Sequence, residues 1–225
     1  MPKDKNGIKI SAETPHLIIC EGADAYYFII WLLDFFIKSD SSFDVFCAYN
    51  FGGISELKQY LDILAKTDGF NKIVRSLCVI RDAEKDAAAA CQSIQGVFRD
   101  LGFAVPQKPC SRTAEGSKKY PNIPTGFILF PSCDATPRNG TLEDLCLEIL
   151  AKEGAASVLS DAETALEPYK AQLSRPHKNL LHTYFSLTDE FVSLKIGEAA
   201  QSRAFCLDGP KINSLKSFLL RMAGA

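Results

Sequence analysis

The chain has 225 residues, 47% of them hydrophobic, a formal net charge of −2 and a pI near 6.0. That is enough apolar material for one large domain, or a domain with an appendage, and it argues against disorder. The near-neutral charge excludes a global attraction to nucleic acid or anionic membrane, so any polyanion contact must come from a local basic patch.

In chain order, Pro15 leads into His16–Cys20, a short continuous apolar run of the kind that forms a strand buried on both faces. Glu21-Gly22 breaks it. Ala23 to Lys38 is aromatic and aliphatic on most faces, as a helix pressed between a sheet and a neighbour is, and it stops in the Ser39–Ser42 polar cluster. Phe43 to Tyr49 reads as a second strand, Phe51-Gly52-Gly53 as a tight turn, and Ile54 to Ala65 as an amphipathic helix. Ser76–Ile80 is a third strand, followed by Arg81-Asp82-Ala83-Glu84-Lys85-Asp86 and an alanine-rich helix that ends at Gly102.

Residues 106–124 shift to Pro, Lys, Ser, Thr and Gly and read as a loop bearing Lys108, Arg112, Lys118 and Lys119. Phe127–Phe130 is a fourth strand and Pro131–Gly140 a turn. Thr141 then caps a helix over Leu142–Leu150 with Asp144 at its third position. Beyond Gly154 the pattern is helical, in segments 162–173, 180–185 and 212–222. The expected architecture is therefore α/β: a Rossmann-like, mainly parallel four-stranded sheet flanked by helices over residues 1–153, with a C-terminal helical extension over 154–225 packed on it.

The longest apolar stretch, 26–37, is interrupted by Asp34 and is too short to span a bilayer, and Met1–Lys9 lacks a signal-peptide core. The expectation is a cytoplasmic protein with no membrane partner. The eight cysteines (Cys20, Cys47, Cys78, Cys91, Cys110, Cys133, Cys146, Cys206) form no Cys-x-x-Cys pair, and His16, His177 and His182 lack metal-ligand spacing. They read as reduced core thiols and structural histidines.

Three of the four apolar runs lead into acid: Leu17–Cys20 into Glu21, Leu77–Ile80 into Asp82, and Phe127–Phe130 towards Glu143. If these runs are parallel neighbours, their carboxyl ends open onto one crevice, where open α/β sheets hold ligands. Two carboxylates about 4 Å apart repel by roughly 4 kcal/mol at an effective dielectric of about 20, so the crevice needs a proton, a base or a cation, most simply a divalent metal.

Glu21-Gly22-Ala23-Asp24 after a buried strand, Gly52-Gly53 before a helix, and Asp82-Ala83-Glu84-Lys85-Asp86 after another strand resemble the toprim domain of topoisomerases, DnaG-type primases and old-family nucleases. The segment Gly140-Thr141-Leu142-Glu143-Asp144-Leu145 is similar to an element of an uncharacterised bacterial toprim-like family close to the nuclease branch. The resemblance implies magnesium or manganese held by Glu21, Asp82 and Glu84, with Asp86 able to stand in for Glu84. Glutamate at position 84 replaces the second aspartate of the family's Asp-x-Asp. The resemblance further implies that Glu143 or Asp144 holds a second metal, that Glu21 doubles as a general acid or base, and that Lys85, Arg81 or a folded-over Lys118 or Lys119 stabilises phosphate charge. Gly22, Asp24, Gly52 and Gly53 would line the ligand.

A helix amino terminus offers a plainer reading of Glu21, Asp24, Asp82, Glu84, Asp86, Glu143 and Asp144, since acids there cap the helix or complement its dipole. Two functions stay open at this point beside a third reading, a degenerate scaffold whose helical tail mediates oligomerisation. One is a metal-dependent phosphoryl-transfer enzyme, a nuclease acting on DNA or RNA, paired with a separate ATPase polypeptide or with copies of itself. The other is a non-catalytic module binding metal and a nucleotide or nucleic-acid end within a larger complex.

Overall fold

The structure is a computed structural model that describes residues 8–151 and 154–224. Strands His16–Cys20 (β1), Phe46–Asn50 (β2), Ser76–Asp82 (β3) and Thr125–Phe130 (β4) form one all-parallel sheet in the order β2-β1-β3-β4. His16 pairs with both Phe46 and Ser76, and Cys78 with Gly126, so even-numbered residues of every strand face one side and odd-numbered residues the other. The burial follows this parity. Ile18, Cys20, Ala48, Cys78, Ile80, Ile128 and Phe130 enter one core cluster, while Leu17, Ile19, Leu77, Val79, Phe127 and Leu129 enter the second.

Helix α1 (Gly22–Ile37) covers the even face with Phe28, Ile29, Leu32 and Phe36. Helices α2 (Leu57–Lys66), α3 (Phe70–Ile73) and α4 (Ala87–Leu101) cover the odd face. In α2, Leu57, Leu61 and Leu64 recur at helical spacing, and in α4 Ala87, Ala90, Ile94 and Phe98 do the same. Each fully buried Leu or Phe contributes about 1.5–3 kcal/mol by removal from water. After β4 come α5 (Leu142–Glu148), α6 (Ala155–Leu166), α7 (Pro176–Ser186), α8 (Ile196–Gln201) and α9 (Pro210–Ala223).

These last helices share the even-face core. Tyr184, Phe185, Ala199, Ile212, Leu215, Phe218 and Leu219 are buried in one cluster with α1 and the sheet. The boundary expected at 153 adjoins residues 152 and 153, which lie outside the described residues.

Several boundaries differ from expectation for local reasons. Ser41–Phe43 is a 3₁₀ turn, not the start of β2: the Asp40 carboxylate accepts the Ser42 N–H at 3.0 Å, and Phe43 packs on Phe36 with ring centroids 4.9 Å apart. Strand β3 runs on to Asp82 because Arg81 and Asp82 pair with Leu129 and Phe130. Residues 167–172 form a 3₁₀ segment after α6, and α8 was not anticipated. Within the expected loop 106–124, the Cys110 N–H donates to the Phe127 carbonyl at 2.8 Å and the Thr113 N–H to the Thr125 carbonyl at 2.9 Å, laying a short antiparallel strip along β4. Lys119 bonds the Leu101 carbonyl at 3.0 Å, at the carboxyl end of α4. That fixes it at the amino ends of the strands, so it does not fold over the acidic crevice.

Candidate functional site

Helices α1 and α4 leave neighbouring strands β1 and β3 on opposite faces of the sheet, which makes the β1/β3 carboxyl edge the switch point where α/β sheets open a crevice. A cleft of about 330 Å³ lies there, bordered by Glu21, Gly22, Asp24, Gly52, Gly53, Asp82, Glu143, Arg175 and Lys178. Residues distant in sequence meet in this cleft through simple connections. Glu21 ends β1, Asp82 ends β3, and Glu143 occupies the first turn of α5. The Gly22 N–H donates to the Gly52 carbonyl at 2.9 Å, joining the two glycine turns, and Gly52 has φ +84, where a side chain is strained.

Burial governs the electrostatics. The Leu142 N–H donates to Asp82 Oδ1 at 2.9 Å and favours its charged form. Burial and the nearby Glu143 charge outweigh that bond, Glu21 and Glu84 add to them, and the Asp82 pKa is pushed up to about 8. Asp82 therefore carries a proton near neutral pH. Burial likewise raises the Glu21 pKa, against the pull of Arg81 and with the help of Glu84. The buried Arg81 guanidinium lies 3.4 Å from Glu21 Oε2, but its Nε–H donates to the Asp82 carbonyl at 3.2 Å. Among the described residues Glu21 Oε2 is thus buried without a hydrogen-bond donor, while backbone hydrogen bonds at Asp82 and Ile54 act on the carboxyl group and oppose the rise in its pKa.

Other expected site residues stand apart from this group. Glu84 is exposed in a left-handed conformation, φ +56, and its N–H and carbonyl both exchange 2.8 Å hydrogen bonds with Gly140. Its charge reaches Asp82 and Glu21, but its side chain does not border the cleft. Lys85 is exposed, and its carbonyl accepts Asn139 Nδ2–H at 2.7 Å. Asp86 caps α4, its Oδ1 accepting the Ala89 N–H at 2.9 Å. Asp144 closes a capping box: its Oδ2 accepts the Thr141 N–H at 2.7 Å, and its Oδ1 lies 2.6 Å from His177 Nδ1.

The C-terminal helices supply what the sequence reading lacked. Lys178 Nζ lies 3.5 Å from Asp24 Oδ2 and 3.4 Å from Glu143 Oε1, and Arg175 borders the same cleft at the amino end of α7. The signal was present as Arg175-Pro176-His177-Lys178, a basic run at a proline-started helix. Only packing reveals that it faces acid.

Carboxylate oxygens suit a hard cation, and Glu21 Oε2, with no hydrogen-bond donor among the described residues and the Arg81 charge 3.4 Å away, is the acceptor such an ion would engage beside Asp82. As the side chains stand, no three His, Cys, Asp or Glu residues among the described residues are grouped to hold a metal ion. Leu142 engages Asp82, Lys178 engages Glu143, and Arg81 attracts Glu21, so a cation would have to exchange with these contacts. The donor chemistry fits magnesium or manganese at Glu21, Asp82 and Glu143.

No helix among the described residues is long and apolar enough to cross a membrane. No curated protein and no solved structure matches the chain. A family model described as a protein of unknown function, DUF3226, matches residues 15–224, nearly the whole length. By that match the chain belongs to the DUF3226 family.

Proposed function

We propose that this protein is a toprim-like, magnesium- or manganese-dependent phosphoryl-transfer enzyme, a nuclease acting on DNA or RNA. The observation that carries the reading is that Glu21, Asp82 and Glu143 line one cleft at the β1/β3 switch point together with Arg175 and Lys178. Acidic and basic side chains side by side are suited to a phosphodiester, whose charge is held by the lysine and arginine while the carboxylates take the cation. A bound divalent ion would supply charge neutralisation on the scissile phosphate and an oriented water.

The chain's own groups do the rest. Lys178 and Arg175 bind and orient the phosphate. Glu21 accepts a proton from the attacking water, a role that its raised pKa favours. Asp82 would have to release its proton to hold a cation, so affinity for a metal would rise with pH up to about 8. Asp86 and Asp144 support the helices that frame the cleft and hold no ion.

The test is incubation of the purified chain with plasmid and with end-labelled single strands, in manganese and in chelator. Manganese-dependent cleavage that disappears in Glu21→Ala supports the reading. Cleavage undiminished in Glu21→Ala overturns it. The second reading, a binding module that holds metal and a nucleic-acid end without cutting, is favoured by the position of Glu84 outside the cleft lining. It is distinguished by a divalent-dependent thermal shift with no turnover.

A further inference from the structure

We propose that the concavity at the amino-terminal end of the sheet, between the 110–113 strip and the end of α9, is a second anion site that takes a phosphate group through Arg112 and Arg221. It has a volume of about 520 Å³, and its walls include Cys110, Arg112, Thr113, Arg221 and Gly224. Arg112 pairs with Gly126 at the start of β4, whereas the acidic cleft lies past the strand's other end. At roughly 3.3 Å per residue the two sites are more than about 13 Å apart.

Packing holds both guanidiniums in place. A Cβ on Gly126 would meet Phe218 Cζ at 2.7 Å, Met222 Sδ at 2.8 Å and the Ser111 carbonyl at 3.2 Å. Only glycine allows α9 and the 110–113 strip to close together on the start of β4. Arg221 Nη2 then donates to the Cys110 carbonyl at 3.3 Å, tying one wall to the other.

The site is short of acceptors. Among the described residues Arg112 Nε is buried with no hydrogen-bond partner, and its Nη1 reaches the Thr113 and Ala114 carbonyls, each at 3.5 Å. A buried unsatisfied guanidinium N–H is costly, and the shortfall marks a missing partner. Among the described residues, both arginines bond carbonyl oxygens and neither bonds a carboxylate. The carboxyl end of α9 complements Arg221 in part, while Arg112 has no such counter-charge among the described residues. The positive field extends to His16, whose pKa is lowered first by burial and then by Arg112 and Arg75. A phosphate accepts the planar donor fork of arginine in bidentate fashion.

The phosphate has two possible sources, free phosphate or the phosphorylated end of a nucleic acid. The experiment titrates the full chain, in chelator, with inorganic phosphate, with a 5′-phosphorylated short oligonucleotide and with its dephosphorylated counterpart, read by calorimetry. Saturable one-site binding of phosphate is expected, weakened tenfold or more in Arg112→Gln and in Arg221→Gln. A stronger response to the phosphorylated oligonucleotide than to inorganic phosphate assigns the nucleic-acid end, and the reverse order assigns free phosphate. Arg221 is exposed at the last turn of its helix, so Arg221→Gln carries the test if Arg112→Gln fails to fold. No saturable phosphate binding, binding that survives Arg221→Gln, or binding lost instead in Lys178→Gln overturns the proposal.

Discussion

Replacing Asp82 by asparagine should flatten the pH dependence of stability. Asp82 is an acid whose folded pKa, about 8, lies above its unfolded value of about 3.9. Between those values the folded protein holds a proton that the unfolded chain has released. Stability at Asp82 is therefore highest at low pH and declines as pH rises, with the decline ending just above the folded pKa. From about pH 6 to about pH 9 the linkage amounts to roughly 2.7 kcal/mol. Asparagine keeps a carbonyl oxygen for the Leu142 N–H, now at 2.9 Å from Asp82 Oδ1, and has no proton to lose. Urea unfolding in chelator, followed by the fluorescence of the single tryptophan, Trp31, should show the wild type losing about 2.7 kcal/mol more than Asp82→Asn across that range. Superimposable pH profiles would falsify the account of the cleft as a repulsive acidic cluster.

Lys178→Met should weaken binding to a labelled oligonucleotide about tenfold while raising affinity for manganese, because Glu143 loses its cationic neighbour; anisotropy and thermal shift read the two effects, and weakening of both would argue against Lys178 sharing the cleft with Glu143. Asp86→Ala should destabilise by about 1 kcal/mol through loss of the α4 cap and leave the metal response unaltered; a lost metal response would make Asp86 a ligand after all. Gly52→Ala should cost about 1–2 kcal/mol in urea unfolding, since φ +84 is adverse to any side chain even after Glu56 swings aside; a neutral result would remove the strain argument. Phe218→Ala should cost about 3–5 kcal/mol in one cooperative transition, because its buried ring belongs to the same core as α1 and the sheet. A separate early transition confined to the C-terminal helices would contradict that shared core.

The sheet was legible because parallel strands covered on both faces are continuous apolar runs, and Leu17–Cys20, Leu77–Ile80 and Phe127–Phe130 are such runs. Their parity needs no partner to be read. Edges were harder. Phe43 is as apolar as any strand residue, and only the Asp40 cap and the packing on Phe36 turn it into a 3₁₀ bend. Arg81 looks like the end of a strand, yet it is 7% exposed beneath the cleft beside Glu21. The nearness of Glu21 and Asp82 follows from the parallel pairing of β1 and β3, while Glu143 reaches them on the first turn of α5. The basic side chains were not legible there, because Arg175 and Lys178 reach the cleft through the docking of α7 against α5, a contact that no local pattern encodes. Glu84 shows the same limit in reverse: its spacing from Asp82 suggests a ligand, and a backbone bridge to Gly140 turns it outward.

The central position of β1 and β3 has a consequence for motion. Their amides are shielded on both faces and bonded on both sides, so they should be the last to exchange with deuterated solvent, near the rate set by global unfolding. Glu21 and Asp82 are fastened to that slow frame. Lys178 rides on α7, whose Leu181, Tyr184 and Phe185 are buried in the core shared with α1 and the sheet, so its backbone should be held by the same frame. Escape of a captured ligand would then be set by exchange of the Lys178 side chain between the ligand and its ion partners Asp24 and Glu143, and not by loss of its helix.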